Sequence, residues 1–219
     1  TEEDLFSLGT AEAIALGKKR AITDRRTIRS FTHVEVPQGV IQTAIEAAVT
    51  APAPHHTTPW RFLVLHFNDP QHQQKRIALL DAMAATWQRD LQAEGKSQDE
   101  VSKRIARGDI LRTAPCVVFA FMDLASGAHT YPEAGGRNNS ERDMFLVAGG
   151  AAVENFLISV SSQGYGSAWI SSTLFCAETV RNHLGLHSSL LPLGAVAIGV
   201  PESIPSQRPP KSAVGFLLD

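Results

Sequence analysis

Hydrophobic and polar positions along this chain change period from segment to segment. Residues 11–22, AEAIALGKKRAI, read as a helix with a basic last turn, which suits the negative end of a helix. In VIQTAIEAAV, 40–49, Val40, Ile41, Ala44, Ile45 and Ala48 fall on one face at helical spacing. RFLVLHF, 61–67, is a strand run closed by Asn68, Asp69 and Pro70. The polar stretch 71–109 returns to helical period through Ile77, Leu80, Met83, Ala84 and Trp87. Gly95 interrupts it, and Ser97 with Glu100 forms a capping-box pattern that opens a second helix. CVVFAFM, 116–122, is apolar without alternation, the mark of a strand inside a sheet. Residues 125–140 read as a loop of functional length.

ERDMFLVAGGAAVENFLISVSSQG, 141–164, is a long and mostly apolar helix. Gly149, Gly150, Ala151 and Ala152 allow close contact, and Gly164 fits its C-terminal cap. SAWIS and LGAVAIGV add two strands with a short helix at 177–184 between them, and Pro201 opens a proline-rich tail. The pattern predicts an α+β fold with a central sheet flanked by helices. Segment 141–164 is too apolar for a surface helix, so it is buried within the subunit or against a second copy.

Composition narrows the class. The chain has 219 residues, 43% hydrophobic and 19% charged, enough for one domain with a sizeable core. A net charge of -2 gives no footprint for nucleic acid. Cys116 and Cys176 lie in apolar stretches without a CxxC partner and read as buried free thiols of a reducing compartment. No uninterrupted apolar run reaches the ~18 residues of a membrane span, and the acidic N-terminus is unlike a signal peptide. The expectation is a cytoplasmic protein without a membrane partner, and the start at Thr1 rather than Met reads as a piece of something longer.

No HExxH, GxSxG, P-loop or GxGxxG motif is present. DRRTIRSF, 24–31, puts Arg25, Arg26 and Arg29 around Thr27, which reads either as a phosphate cradle or as a solvated basic face. TAPAPHHTTPWRF, 50–62, places His55 and His56 on a proline-stiffened loop. Adjacent side chains diverge in such a segment and no further His or carboxylate is close in sequence, so no metal is expected there. A structural histidine and a ligand-lining loop both remain open.

RRTIRSF, AAVTAPAPHHTTPWRFLVL, GYGSAWIS and LGAVAIGVP occur in that order and resemble the FMN-dependent nitroreductase superfamily from about residue 20 to the C-terminus. GAHTYP, ERDMFLVAGGAAVENF and SSTLFCAETVR resemble a narrower group, the nitroreductase-like C-terminal domains of bifunctional coenzyme F420 biosynthesis proteins. The resemblance implies a nitroreductase-like α+β fold with a mixed or antiparallel sheet, an intertwined homodimer, and FMN at the dimer interface. It implies that residues 1–20 are a linker and first helix after a γ-glutamyl ligase domain, with the flavin domain at 21–219. The implied activity is FMN-dependent reduction of dehydro-F420-0 to F420-0, with F420 binding in support of poly-γ-glutamylation.

The resemblance also implies site roles. Arg25, Thr27 and Arg29 would meet the FMN phosphate and ribityl chain, with Arg26 and Ile28 contributing backbone. Ala53 and His56 would line the ring or ribityl region, where the superfamily usually has Ser and Asn, and Thr58 stands where it has Gln. Ser171 and Ser172 would present backbone N–H groups to the ring. Arg208 and Lys211 would supply the terminal basic group, although Ala213 breaks that pattern. On the substrate side Trp87 could stack on a planar ring, Asp90 could accept from a deazaflavin, and the group Lys103, Arg104, Arg107 and Arg112 could meet its anionic tail. A core tryptophan, a solvated carboxylate and a solvated basic face are the alternatives.

Overall fold

The computed structural model describes residues 10–132, 136–206, 208–209 and 211–218. Segment 1–9, the first part of the expected 1–20 linker and helix, lies outside them. The helices are α1 (Thr10–Thr23), α2 (Gln38–Ala48), α3 (Pro70–Ala93), α4 (Gln98–Ala106), α5 (Ile110–Thr113), α6 (Arg137–Ser162), α7 (Ser172–Phe175) and α8 (Ala177–Leu184). The strands are β1 (Trp60–His66), β2 (Cys116–Asp123), β3 (Gly166–Ile170) and β4 (Leu190–Gly199), in the order β1-β2-β4-β3, and each neighbouring pair is antiparallel. A lone parallel bridge, Thr27 to Ser167, attaches the segment after α1 to this sheet.

The two interior strands separate two cores. Alternation along β2 sends Cys116, Val118, Ala120 and Met122 to one face and Val117, Phe119 and Phe121 to the other. The first face packs on α2 and α6 through Ile41, Ala44, Phe145, Ala152 and Phe156, and the second on α3, α5 and α8 through Leu79, Met83, Leu111 and Val180. Both cysteines are buried and free, and burial pushes their thiols up to about 12 for Cys116 and about 11 for Cys176.

The α3 stripe differs from expectation by one residue. Ile77 is 42% exposed, while Arg76, Leu79, Leu80 and Met83 form the buried face. Arg76 is fully buried and has no carboxylate partner among the described residues. Its guanidinium donates to the carbonyls of Ala114 (2.8 Å) and Arg112 (3.1 Å) at the end of α5 and lies 5.1 Å from the Phe67 ring centre. A cation therefore satisfies the open carbonyls of a short helix. The capping box at Ser97 and Glu100 forms as expected.

Helix α6 begins at Arg137 instead of 141. Its polar first turn carries no apolar period, but Asn138 fixes it by bonding both the N–H and C=O of Tyr131 (2.9 and 3.0 Å). Gly164, at φ 83°, turns the chain just beyond the helix. A β-carbon on Gly149 would come 2.7 Å from Leu193, so the glycine lets α6 lie directly on β4. By length and average hydropathy α6 could cross a membrane, although no uninterrupted apolar run reveals it, yet its Phe145, Val153, Phe156 and Val160 are packed in the core. Its other side exposes Val147 (75%) and Met144 (39%).

Candidate functional site

The RRTIR segment is stitched to the sheet rather than left as a free basic face. Ile28 donates its N–H to the Ser167 carbonyl (2.9 Å), Thr32 to that of Val200 (2.9 Å), and Glu202 to that of Ser30 (3.1 Å). Gly166 makes this approach possible: a β-carbon there would lie 2.8–2.9 Å from the Ile28 side chain. Gly166→Ala is expected to destabilise the protein by about 1–3 kcal/mol, the cost of overpacking a closed contact. Urea unfolding of the variant checks this, and an unchanged midpoint would mean that the segment can move away without loss.

The three arginines have different surroundings. Arg25 pairs through Nε with Glu154 of α6 (2.9 Å), so part of its charge is already used within the chain. Arg29 is exposed. Arg26, expected to contribute only backbone, has Nε and Nη1 buried with no hydrogen-bond partner among the described residues. A guanidinium held this way is incomplete without an acceptor, and a phosphate group fits that need.

The histidine loop is anchored at the other end of α6. Pro54–His56 form a single tight turn in which His55 (φ 55°) and His56 (φ 54°) are both left-handed, a costly conformation for residues with a β-carbon. His55 Nε2 lies 2.7 Å from Glu141 Oε1, and the His129 N–H donates to the same oxygen (2.9 Å). The His55 and His129 rings stack with centres 4.1 Å apart. The His129 amide, ahead of the opposing effect of burial and with help from His55, holds the Glu141 carboxyl below its usual range. His56 projects into solvent and Ala53 packs partly against the core. The cradle contacts α6 at Glu154 and the loop contacts it at Glu141, 13 residues apart, or about 20 Å of helix. One chain does not bring the two motifs together.

A third group forms a cavity of about 340 Å³ between α3, α4 and the end of β3. Trp87, Arg107, Ser171 and Ser172 all line it, beside Arg104 and Phe175. Trp87 is tilted against Phe175 (5.2 Å between centres), and its buried indole N–H has no partner among the described residues. Arg104 and Arg107 have no carboxylate partner among the described residues, unlike Arg112, which pairs with Asp81 (2.8 Å). The chamber thus offers an apolar floor, an unused donor and two free cations.

Other expected residues lie elsewhere. Asp90 is exposed and does not line the cavity; it faces Cys176, whose thiol it helps to raise after burial. Arg208 and Lys211 are exposed in the tail, and Lys211 sits 5.9 Å from the Phe216 ring centre. Sequence reasoning missed Phe175 and the meeting of His55 with His129 and Glu141. The last join residues 74 and 86 positions apart, a separation at which no motif spacing operates.

A sequence model of the nitroreductase family matches residues 22–200. The chain is 26% identical over 186 residues to iodotyrosine deiodinase 1 of Mus musculus, covering 79% of this chain and 60% of that protein. It is 25% identical over 190 residues to the Homo sapiens protein of the same name, covering 82% and 60%. This chain therefore spans about 60% of the length of these relatives. Among solved structures it is similar to a Desulfovibrio desulfuricans nitroreductase in complex with FMN, with TM-score 0.67, 25% identity and coverage of 92% and 95%. A BluB-like flavoprotein from Clostridium difficile 630 shares the fold at TM-score 0.70 and 21% identity, with coverage of 92% and 98%.

Proposed function

We propose, from the premise that this chain belongs to the nitroreductase family, that it is a homodimeric FMN oxidoreductase whose flavins lie between the two chains. The observation that carries this reading is Arg26, with two buried nitrogens awaiting an anionic acceptor beside Thr27 and Arg29. The cradle and the His56 loop are about 20 Å apart along α6, so a second copy is needed to supply one to the other. Exposed Val147 and Met144 on α6, with Phe216 (71%), Leu217 (71%) and Leu218 (99%) in the tail, are apolar surface for that copy to cover. The interface expected of such an obligate pair exceeds about 2,000 Å².

Bound FMN supplies hydride transfer at its N5 atom. The chain's residues bind and orient. Arg26, Thr27 and Arg29 hold the phosphate end; Ser171, about 13 Å from Ser167 along β3, presents backbone at the ring end. His56 lines the ring from the other chain. The cavity then receives the substrate, with Trp87 against a planar body and Arg104 and Arg107 toward an anionic tail. A planar acid is the substrate class that uses each of these groups.

The specific reading is reduction of dehydro-F420-0 to F420-0, with F420 retained in support of poly-γ-glutamylation by a ligase domain of the same polypeptide. A general NAD(P)H-dependent nitro or quinone reductase, and a flavin- and F420-binding module without turnover, are the competing readings. Deiodination of iodotyrosine is a further competing reading, because the chain is similar to iodotyrosine deiodinase 1. The test is single-turnover reduction by the FMN-loaded dimer, its flavin first reduced with dithionite, with dehydro-F420-0, a nitroaromatic and iodotyrosine offered separately. Formation of fluorescent F420-0, faster than conversion of the other two, is the expected result. Preferential conversion of either competitor overturns the specific assignment, and F420 binding without turnover supports the module.

A further inference from the structure

The His55, His129 and Glu141 cluster has no part in the flavin chemistry, and its donor set is that of a metal site. Two imidazoles and one carboxylate each present a ligand atom, and these atoms lie within 4.8 Å of one another. We propose that this cluster binds one divalent cation of the zinc class, with two His nitrogens, one Glu oxygen and a water as the fourth ligand. Neutral nitrogen and carboxylate oxygen donors in this number suit Zn²⁺ in an open tetrahedral site.

The surroundings prepare the ligands. Glu141 is the buried member, and the backbone N–H of His129 holds one of its oxygens at 2.9 Å, so the carboxylate is oriented before any cation arrives. His55 is aimed at Glu141 by a left-handed backbone, which local preferences of the chain would not select. The side chains of both histidines remain partly open to solvent, which provides an entry path and room for water.

The His55 and His129 rings now stack 4.1 Å apart at 15°, so one of them must turn out of the stack before both nitrogens point in-plane at one cation. At metal–ligand distances of about 2.0–2.2 Å, tetrahedral neighbours stand roughly 3.4 Å apart. His55 Nε2 and Glu141 Oε1, now 2.7 Å apart and sharing a proton, would separate by about 0.7 Å as the cation displaces that proton. Rotation of the 32% exposed His55 ring accommodates this and takes it out of its stack with His129. The cation would tie the strained loop to α6 and the 127–131 segment at a single point.

The test is equilibrium dialysis of the metal-stripped, flavin-loaded protein against Zn²⁺, beside Glu141→Gln, His129→Gln and His72→Gln. The last removes a histidine from the separate His66–His72 pair. The expected result is one saturable Zn²⁺ per chain with micromolar or tighter affinity, weakened at least about tenfold in the first two variants and unchanged in His72→Gln. Zn²⁺ should also raise the melting temperature of the wild type and not that of His129→Gln, which keeps Glu141 and reports on binding if Glu141→Gln folds poorly. No saturable binding at tens of micromolar Zn²⁺ overturns the site. So does binding that survives both ligand substitutions or disappears in His72→Gln.

Discussion

Gly194→Ala is expected to lower the unfolding free energy by about 3–5 kcal/mol. Three contributions combine. Gly194 sits at φ 126°, where a β-carbon is strained by about 1–3 kcal/mol. The added carbon would also lie 2.1 Å from Trp169 Nε1, 2.7 Å from Trp169 Cδ1 and 3.1 Å from the Ile170 carbonyl. The indole must move, which costs about 1–3 kcal/mol as an overpacked contact. It then loses its 2.8 Å bond to the Leu193 carbonyl, worth about 1 kcal/mol. The register irregularity of β2 against β4 lies opposite, between Ala120 and Phe121, so the site is one where the sheet already bends. Equilibrium denaturation of apoprotein measures the effect. In a Trp169→Ala background, where the space for the new carbon is empty, Gly194→Ala should cost less. A Gly194→Ala protein as stable as wild type would mean that the strand repacks freely.

Arg26→Ala is expected to weaken FMN binding by about 2–3 kcal/mol, or roughly 30- to 150-fold, on the scale of charge-assisted hydrogen bonds. Riboflavin, which lacks the phosphate, should bind the variant and the wild type alike. The apoprotein should be as stable as wild type or more so, because the substitution removes two buried nitrogens that have no partner. Arg26→Lys should fall between, since an ammonium keeps the charge and loses the planar fork. Arg25→Ala should behave differently, costing some stability through the lost Glu154 contact. Flavin titrations followed by absorbance, with FMN and riboflavin in parallel, separate these outcomes. Equal losses for the two flavins would assign Arg26 to the scaffold.

Much of the architecture is legible along the chain because its signals are local. The capping box at Ser97, the apolar run at 116–122 and the glycine after α6 each specify an element through neighbours within a few residues. Boundaries fail where a turn is polar but tied down from a distance, as at Arg137–Ser140, where Asn138 reaches back to Tyr131. The α3 stripe is offset because a helical face tolerates an arginine when distant carbonyls need its protons, and Arg76 takes the place that apolarity alone gives to Ile77.

The candidate site divides in the same way. The order of RRTIR, the proline–histidine loop and GYGSAW is a property of the sequence, and so is the need for small residues where backbone approaches backbone. Hydrophobic period and backbone chemistry determine these elements before the chain folds. Tertiary structure alone decides that Arg25 is paired while two buried nitrogens of Arg26 have no partner among the described residues, that Trp87 and Arg107 share a chamber with Ser171, and that Asp90 lies outside its lining. It also decides that His55 meets Glu141 across 86 residues. Such meetings depend on how α6 lies across the sheet and where the loops close, and neither quantity is encoded in the spacing of any single segment.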